Sequence, residues 1–258
     1  MFSLKFKNLI LTIIVASSFS ACGLSKVKYT ERTQLITMSP SKEMKMGLNA
    51  SEGIKKENKA TLDKDKALLK RVQTIGKKIA KVANQPDFKW EFHTISKDVL
   101  NAFCLPGGKV YVYTGIAKVT ANDDQLATVM SHEIAHAIAR HGAERVSMGQ
   151  ITSIGQKVLA LAVKTKAPQY DQAFQKAYGY GANVGLMLPF SRKHEMEADK
   201  IGLILMTKSG YDTKESAKFW INMKRASGNT GKSKSDFFST HPSDDKRIAQ
   251  INEYNRNH

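Results

Sequence analysis

Residues 122–142 read NDDQLATVMSHEIAHAIARHG, and the rest of the chain is interpreted from this stretch. Asn122 or Asp123 can cap a helix, and acidic residues in its first turn suit the helix dipole. Leu126, Val129, Met130, Ala137 and Ile138 form an apolar stripe, and Gly142 offers a stop. Within the helix, His132-Glu133-Ile134-Ala135-His136 fits the pattern HExxH. Residues four apart lie one turn above each other, so both imidazoles point the same way. Their separation suits two corners of a tetrahedral zinc site, with Glu133 close enough to take a proton from water at the metal. Chance produces HExxH in about 1 chain in 100 of this length, so the reading depends on finding a third ligand.

One large class of such sites takes a third His six residues after the second. Here Gly142 occupies that position, and His141 comes one residue early, on a different face if the helix continues; it reads as a structural or rim residue. The other class takes a Glu from a later helix. Glu195 and Asp199, four apart on one helical face and 59 residues after His136, supply it. Glu195 would bind the metal, and Asp199 would hold the outer nitrogen of a ligand histidine, His132, fixing its tautomer. Glu197 is the competing candidate, but it points away from Asp199.

Outward from this pair, Leu68, Val72, Ile75, Ile79 and Val82 recur at helical spacing and predict an amphipathic helix over 65–83, closed by Pro86. Trp90–Ile95 and Val110–Tyr113 are short β-branched or aromatic runs. With Asn101–Leu105 between them and Pro106-Gly107-Gly108 as a turn, they predict a small sheet. Ile151, Ile154, Val158 and Leu161 share a face of a further helix. Residues 179–190, rich in Gly and apolar side chains, predict a buried loop or lid. A core helix runs from Ser191 to Gly210, residues 226–235 form a connector, and a final helix capped by Ser243 follows Pro242. The expected fold class is α+β, mostly helical, with a small sheet beside the HExxH helix.

With 258 residues, 41% of them hydrophobic and 24% charged, the chain is long enough for one sizeable globular domain. Lys5 and Lys7 precede an apolar run, Leu9–Val15, too short to span a bilayer, and small residues lead to Ala21. Residues 1–21 therefore read as a signal peptide. Ser20-Ala21-Cys22-Gly23 resembles the lipobox of bacterial lipoproteins, which predicts a lipid on Cys22, a polar tether over 22–41 and the catalytic domain over 42–258. Lipidation would leave Cys104 alone; the alternative, a Cys22–Cys104 bridge, would tie a flexible tail to the core. The formal charge of +17 favours anionic partners. The basic residues are spread, however, and no aromatic-rich stripe accompanies them, so no nucleic acid is expected as a partner.

Four stretches in order carry a closer resemblance: NAFCLPGGKVYVYTG (101–115), HEIAHAIARHGAER (132–145), SRKHEMEAD (191–199) and STHPSDDKRI (239–248). Together they resemble the gluzincin peptidases of the HtpX, Oma and CAAX-prenyl-protease type, most of all their soluble periplasmic lipoprotein members, over roughly Lys42 to Asn255. The resemblance implies a zincin-type catalytic domain and a zinc endopeptidase holding one Zn2+ per chain through His132, His136 and Glu195, with Asp199 behind them and Glu133 as general base. It also implies that Asn101, Ala102, Phe103, Gly107 and Gly108 line a strand on which a substrate peptide pairs. His241 would sit near the zinc as an oxyanion donor or a resting-state ligand, and Arg192 and Arg247 would brace the site. The expected substrates are unfolded envelope proteins. The expected location is the periplasm, lipid-anchored to the outer membrane. A second reading is an envelope assembly or chaperone-like factor with latent proteolysis.

Overall fold

A computed structural model describes residues 23–166, 188–228, 241 and 245–258. Among them the elements are β1 (Leu24–Lys26), β2 (Thr33–Leu35), α1 (Pro40–Glu57), α2 (Lys66–Ala83), β3 (Glu91–Ile95), β4 (Ala102–Leu105), β5 (Lys109–Tyr113), α3 (Thr114–Lys118), α4 (Asp123–Ile138), α5 (His141–Lys166), α6 (Leu188–Ser209), α7 (Lys214–Gly228) and α8 (Asp245–Asn257). The protein is α+β and mostly helical, with a small sheet against the HExxH helix.

α4 is the central element. The Asn122 side chain accepts from the Gln125 amide at 2.8 Å, and Asp123 and Asp124 occupy the first turn. Gln125 to Ala135 are buried without a break. A helix covered on all sides belongs in the middle of a core, and α4 packs against α2, α6, α7 and β4. Its end comes earlier than Gly142. Arg140 takes a left-handed backbone (φ 56°) and turns the chain, and α5 begins at His141. The Arg140 side chain is held by Glu43 Oε2 at 2.7 Å and by the Met38 carbonyl at 3.0 Å.

The three-stranded sheet has the order β3-β5-β4, with β3 parallel and β4 antiparallel to β5. Val110, Tyr111 and Val112 are fully buried, as expected of a central strand covered on both faces. The Tyr111 hydroxyl meets Ser51 Oγ of α1 at 2.7 Å, so its polar end is satisfied. The turn before β5 needs glycine: Gly107 and Gly108 both have φ +84°, and a Cβ on Gly108 would lie 2.8 Å from the Trp90 ring.

The stretch read from sequence as a tether is folded onto the domain. β1 and β2 form an antiparallel hairpin, with Val27 and Ile36 buried at its end. Three-residue strands are too short to show period-two alternation, and what fixes them is Arg32, whose guanidinium reaches carboxylates on α5 and α6. α1 and α7 are further helices that the pattern left unassigned. Cys22, residues 179–187 of the expected lid, residues 229–235 of the connector and the Ser243 cap lie outside the described residues. Cys104 is a free thiol.

Candidate metal centre

The site forms where α6 crosses α4. Gly202 makes the close approach possible, since a Cβ there would lie 3.3 Å from the His132 amide nitrogen. This crossing sets Glu195 and Asp199 of α6 against His132 and His136 of α4. His132 Nε2 lies 3.2 Å from His136 Nε2. Glu195 spans the pair, with Oε2 3.3 Å from His132 Nε2 and Oε1 3.3 Å from His136 Nε2. His241 approaches from the loop before α8, with Nδ1 3.1 Å from Glu195 Oε2 and 3.4 Å from His132 Nε2. These four residues offer ligand atoms within 4.8 Å of one another, so the group could hold a metal ion.

The donor set fits zinc. Tetrahedral bonds of about 2.0–2.1 Å place neighbouring donor atoms about 3.3–3.4 Å apart, close to the separations found here. The histidine tautomers fit as well. His132 Nδ1 is engaged by Asp199 Oδ1 at 2.9 Å, which places the proton on Nδ1 and leaves a lone pair on Nε2. Two ring nitrogens 3.2 Å apart need a proton or a metal ion between them.

A buried charge lattice supports the cluster. Arg247 of α8 donates to Asp199 Oδ2 at 2.6 Å from Nε and to Oδ1 at 2.8 Å from Nη2, and its Nη1 lies 3.2 Å from Glu195 Oε2. Its guanidinium rests over the Trp220 ring, 4.1 Å from the centroid, and Trp220 meets the edge of His132. Burial alone would lower the His132 pKa, but Asp199 and Glu195 raise it to about 9. Burial drives the His136 pKa well below its usual value, so in the metal-free protein the charge of the pair belongs to His132. Burial would raise the Glu195 pKa, but the surrounding histidines hold it far below the carboxylate range. Glu133 is pushed up, chiefly by burial. Its Oε1 has no hydrogen-bond partner among the described residues, and His241 Nε2 stands 3.6 Å away.

The structure thus brings His132, Glu133, His136, Glu195, Asp199 and His241 together. Ala102 and Phe103 lie on β4, the edge strand packed against α4, with Asn101 just before it and Gly107 and Gly108 in the turn after it. Arg247 is 3% exposed and reaches the site, whereas Arg192 is exposed. Of the two roles the sequence left open for His141, structural or rim, the structure has the structural one. It is fully buried rather than at a rim, and its Nδ1 lies 2.9 Å from His136 Nδ1. The helix does not continue to His141: the left-handed Arg140 turns the chain and brings His141 back to His136. Burial pushes the His141 pKa down to about 4 against the pull of Glu197, so the ring is neutral. Trp220 was missed, although Ala217, Trp220 and Met223 at helical spacing mark its face.

Residues 66–255 match the profile of peptidase family M48. The chain belongs to that family. Among M48 relatives, it is 42% identical to the mitochondrial metalloendopeptidase OMA1 of Schizosaccharomyces pombe over 71% of this chain and 52% of that protein. It is 31% identical to the protein of the same name in Saccharomyces cerevisiae, over 92% of this chain and 71% of that one. A third relative, the beta-barrel assembly-enhancing protease of Yersinia pestis, is 30% identical over 83% of this chain and 44% of its own length. The chain spans about half the length of most of these M48 relatives. The expectation of a periplasmic protein lipid-anchored to the outer membrane is overturned, because the fission- and budding-yeast relatives are named as mitochondrial. That expectation rested on the signal-like residues 1–21, the four-residue pattern around Cys22 and the resemblance to periplasmic lipoprotein members. No helix among the described residues is long and apolar enough to cross a membrane.

Proposed function

We propose that the chain is a zinc-dependent endopeptidase, with His132, His136 and Glu195 as the ligands of one zinc ion. The convergence of the two Nε2 atoms and the Glu195 carboxylate at 3.2–3.3 Å carries this reading. A zinc ion held there supplies Lewis acidity and brings the pKa of water toward neutrality. Glu133 is the general base: it is buried beside the ligands, and Oε1 has an acceptor position to spare for a proton. Having taken the proton, it can return it to the leaving nitrogen, and the burial that raises its pKa suits both directions of transfer. Asp199 and Arg247 keep the His132 ring in its tautomer. β4, at the sheet edge, offers backbone groups to an extended peptide, which makes unfolded polypeptide the natural substrate.

A purified parent should carry one zinc per chain and cleave casein. Glu133→Gln should retain the zinc and lose turnover by about 10²–10⁴-fold, the usual contribution of a positioned acid–base group. Undiminished cleavage by this variant would remove Glu133 from the mechanism, and a parent without zinc would remove the metal reading.

One observation favours a second reading, an assembly or chaperone-like factor whose proteolysis is latent. His241 Nδ1 lies as close to Glu195 and His132 as the other donors do, which supports a resting state in which His241 caps the metal. Under this reading, replacing His241 with Ala raises cleavage; if His241 instead donates to the oxyanion, the same change abolishes it.

A further inference from the structure

His132 and His136 each pass their outer nitrogen to a support, and the two supports differ. Behind His132 stand Asp199 and Arg247, as described. Behind His136 the chain of contacts is longer. His136 Nδ1 meets His141 Nδ1 at 2.9 Å, and His141 Nε2 meets Glu197 Oε2 at 3.0 Å. Glu197 Oε2 in turn accepts from Arg32 Nε at 2.7 Å, and Thr30 donates to Glu197 Oε1. Arg32 also forks onto Glu144, with Nη1 to Oε1 at 2.8 Å and Nη2 to Oε2 at 2.7 Å. Glu144 Oε2 accepts from His194 Nε2 at 2.9 Å, and the His194 ring stacks on His141 with centroids 4.1 Å apart and planes 9° apart. One guanidinium therefore holds both carboxylates that locate His141, one through a hydrogen bond to its ring and one through the ring stacked on it.

Proton placement follows from these contacts. If His136 gives its Nε2 lone pair to a metal, its proton sits on Nδ1 and is donated to His141. His141 Nδ1 must then accept, so its own proton sits on Nε2 and is donated to Glu197. A protonated His141 would set two N–H groups against each other at 2.9 Å. Glu197 must remain an acceptor, and Arg32 Nε–H, which can only donate, keeps it one.

We infer that Arg32, on the N-terminal hairpin, is a positioning residue for the metal centre, acting through Glu197 and His141 on the ring of His136. This rests on the zinc reading above. The hairpin is then part of the site's support, not an appendage to the domain. Glu197, the competing ligand candidate, does its work two residues removed from the metal, through His141 and His136. Partners behind a ligand histidine typically change metal affinity by about 10–100-fold when removed.

The test uses the full chain, its zinc affinity from competition with a chromophoric chelator, the visible bands of its Co(II) form, and the thermal unfolding of the metal-free protein. Arg32→Gln should weaken zinc binding by about 10-fold and shift the Co(II) bands, since Gln cannot fork onto one carboxylate while donating to another. Arg32→Lys should recover part of the affinity, and it carries the same comparison if the Gln variant aggregates. Val27→Ala, which loosens hairpin packing but keeps the backbone bond from residue 27 to Arg32 and every side chain of the relay, should lower the unfolding temperature and leave the affinity unchanged. Zinc binding by Arg32→Gln as tight as the parent's would overturn the inference. So would an equal loss in Val27→Ala, which would make general packing the cause. A parent that takes up no zinc would overturn the metal reading and this inference with it.

Discussion

Asp199 makes three bonds behind the metal cluster, accepting from His132 on one side and from Arg247 twice on the other. Asp199→Asn keeps the shape but turns one acceptor into a donor, which then faces either the His132 N–H or the guanidinium. Zinc affinity should fall by about 10–100-fold, and the buried Arg247, short of its counter-charge, should cost about 3–5 kcal/mol of stability. Chelator competition and thermal unfolding measure the two losses, and an unchanged affinity would exclude Asp199 as the group that orients His132. The site residues that sequence could reveal are those whose geometry is a helical period. His132, His136, Glu195 and Asp199 all lie four apart on their helices, and one turn of helix is the whole of the inference. His141 was not legible, because its contact with His136 depends on Arg140 taking φ 56°, a conformation costly for a residue with a Cβ. No local signal marks it. What holds it is Glu43, 97 positions away in the chain. Arg32 was hidden for the same reason, since its two carboxylates lie more than 110 positions downstream.

At the scale of elements, α1 shows why hydrophobic periodicity can miss a helix that packs tightly. Its buried face is Glu43, Gly47 and Ser51, evenly four apart, with no large apolar side chain among them. The face is small because the β4–β5 turn lies directly on it: a Cβ on Gly47 would come within 2.1 Å of the Pro106 carbonyl oxygen. Backbone cannot swing aside as a side chain can, so Gly47→Ala should destabilise the protein by about 1–3 kcal/mol through overpacking. Gly53, exposed on the same helix and with nothing within 4 Å of its would-be Cβ, is the matched control. Gly53→Ala should stabilise by up to about 1 kcal/mol, the helix-propensity difference. Opposite shifts in the unfolding temperature would confirm the packing at Pro106, and two shifts of the same sign would refute it. The other elements divide along the same line. α2 presents an apolar stripe to the core, α4 is buried on all sides around its apolar positions, and both were readable from spacing, as was the three-stranded sheet, whose central strand alternates Val and Tyr. The β1–β2 hairpin is bound by charge and by two buried apolar residues, and a pattern of apolar spacing does not register it.

Across the whole molecule, both ends of the described chain send an arginine to carboxylates on α6: Arg32 from the hairpin to Glu197, and Arg247 from α8 to Asp199. A surface of high positive charge therefore coexists with an interior where every arginine at the site is matched by an acid. Matched interiors are sensitive to acid, and Glu144 allows the sign to be worked out. Burial would raise its pKa, but Arg32 and His194 hold it at about 2, below the ordinary 4.5. As the pH falls through 4.5 the unfolded chain takes up the proton first, so the stabilisation from Glu144 is complete above that pH and disappears on the way down to 2. A Glu144→Gln variant lacks this titration. It should start less stable than the parent at neutral pH, and its unfolding temperature should decline less steeply between pH 4.5 and 2. Parallel declines in parent and variant would show that Glu144 does not tie the hairpin to the helical body. A steeper parent decline, with the tryptophan fluorescence of the folded state retained down to the transition, would place the acid-sensitive joint of the molecule at the contact between hairpin and helices.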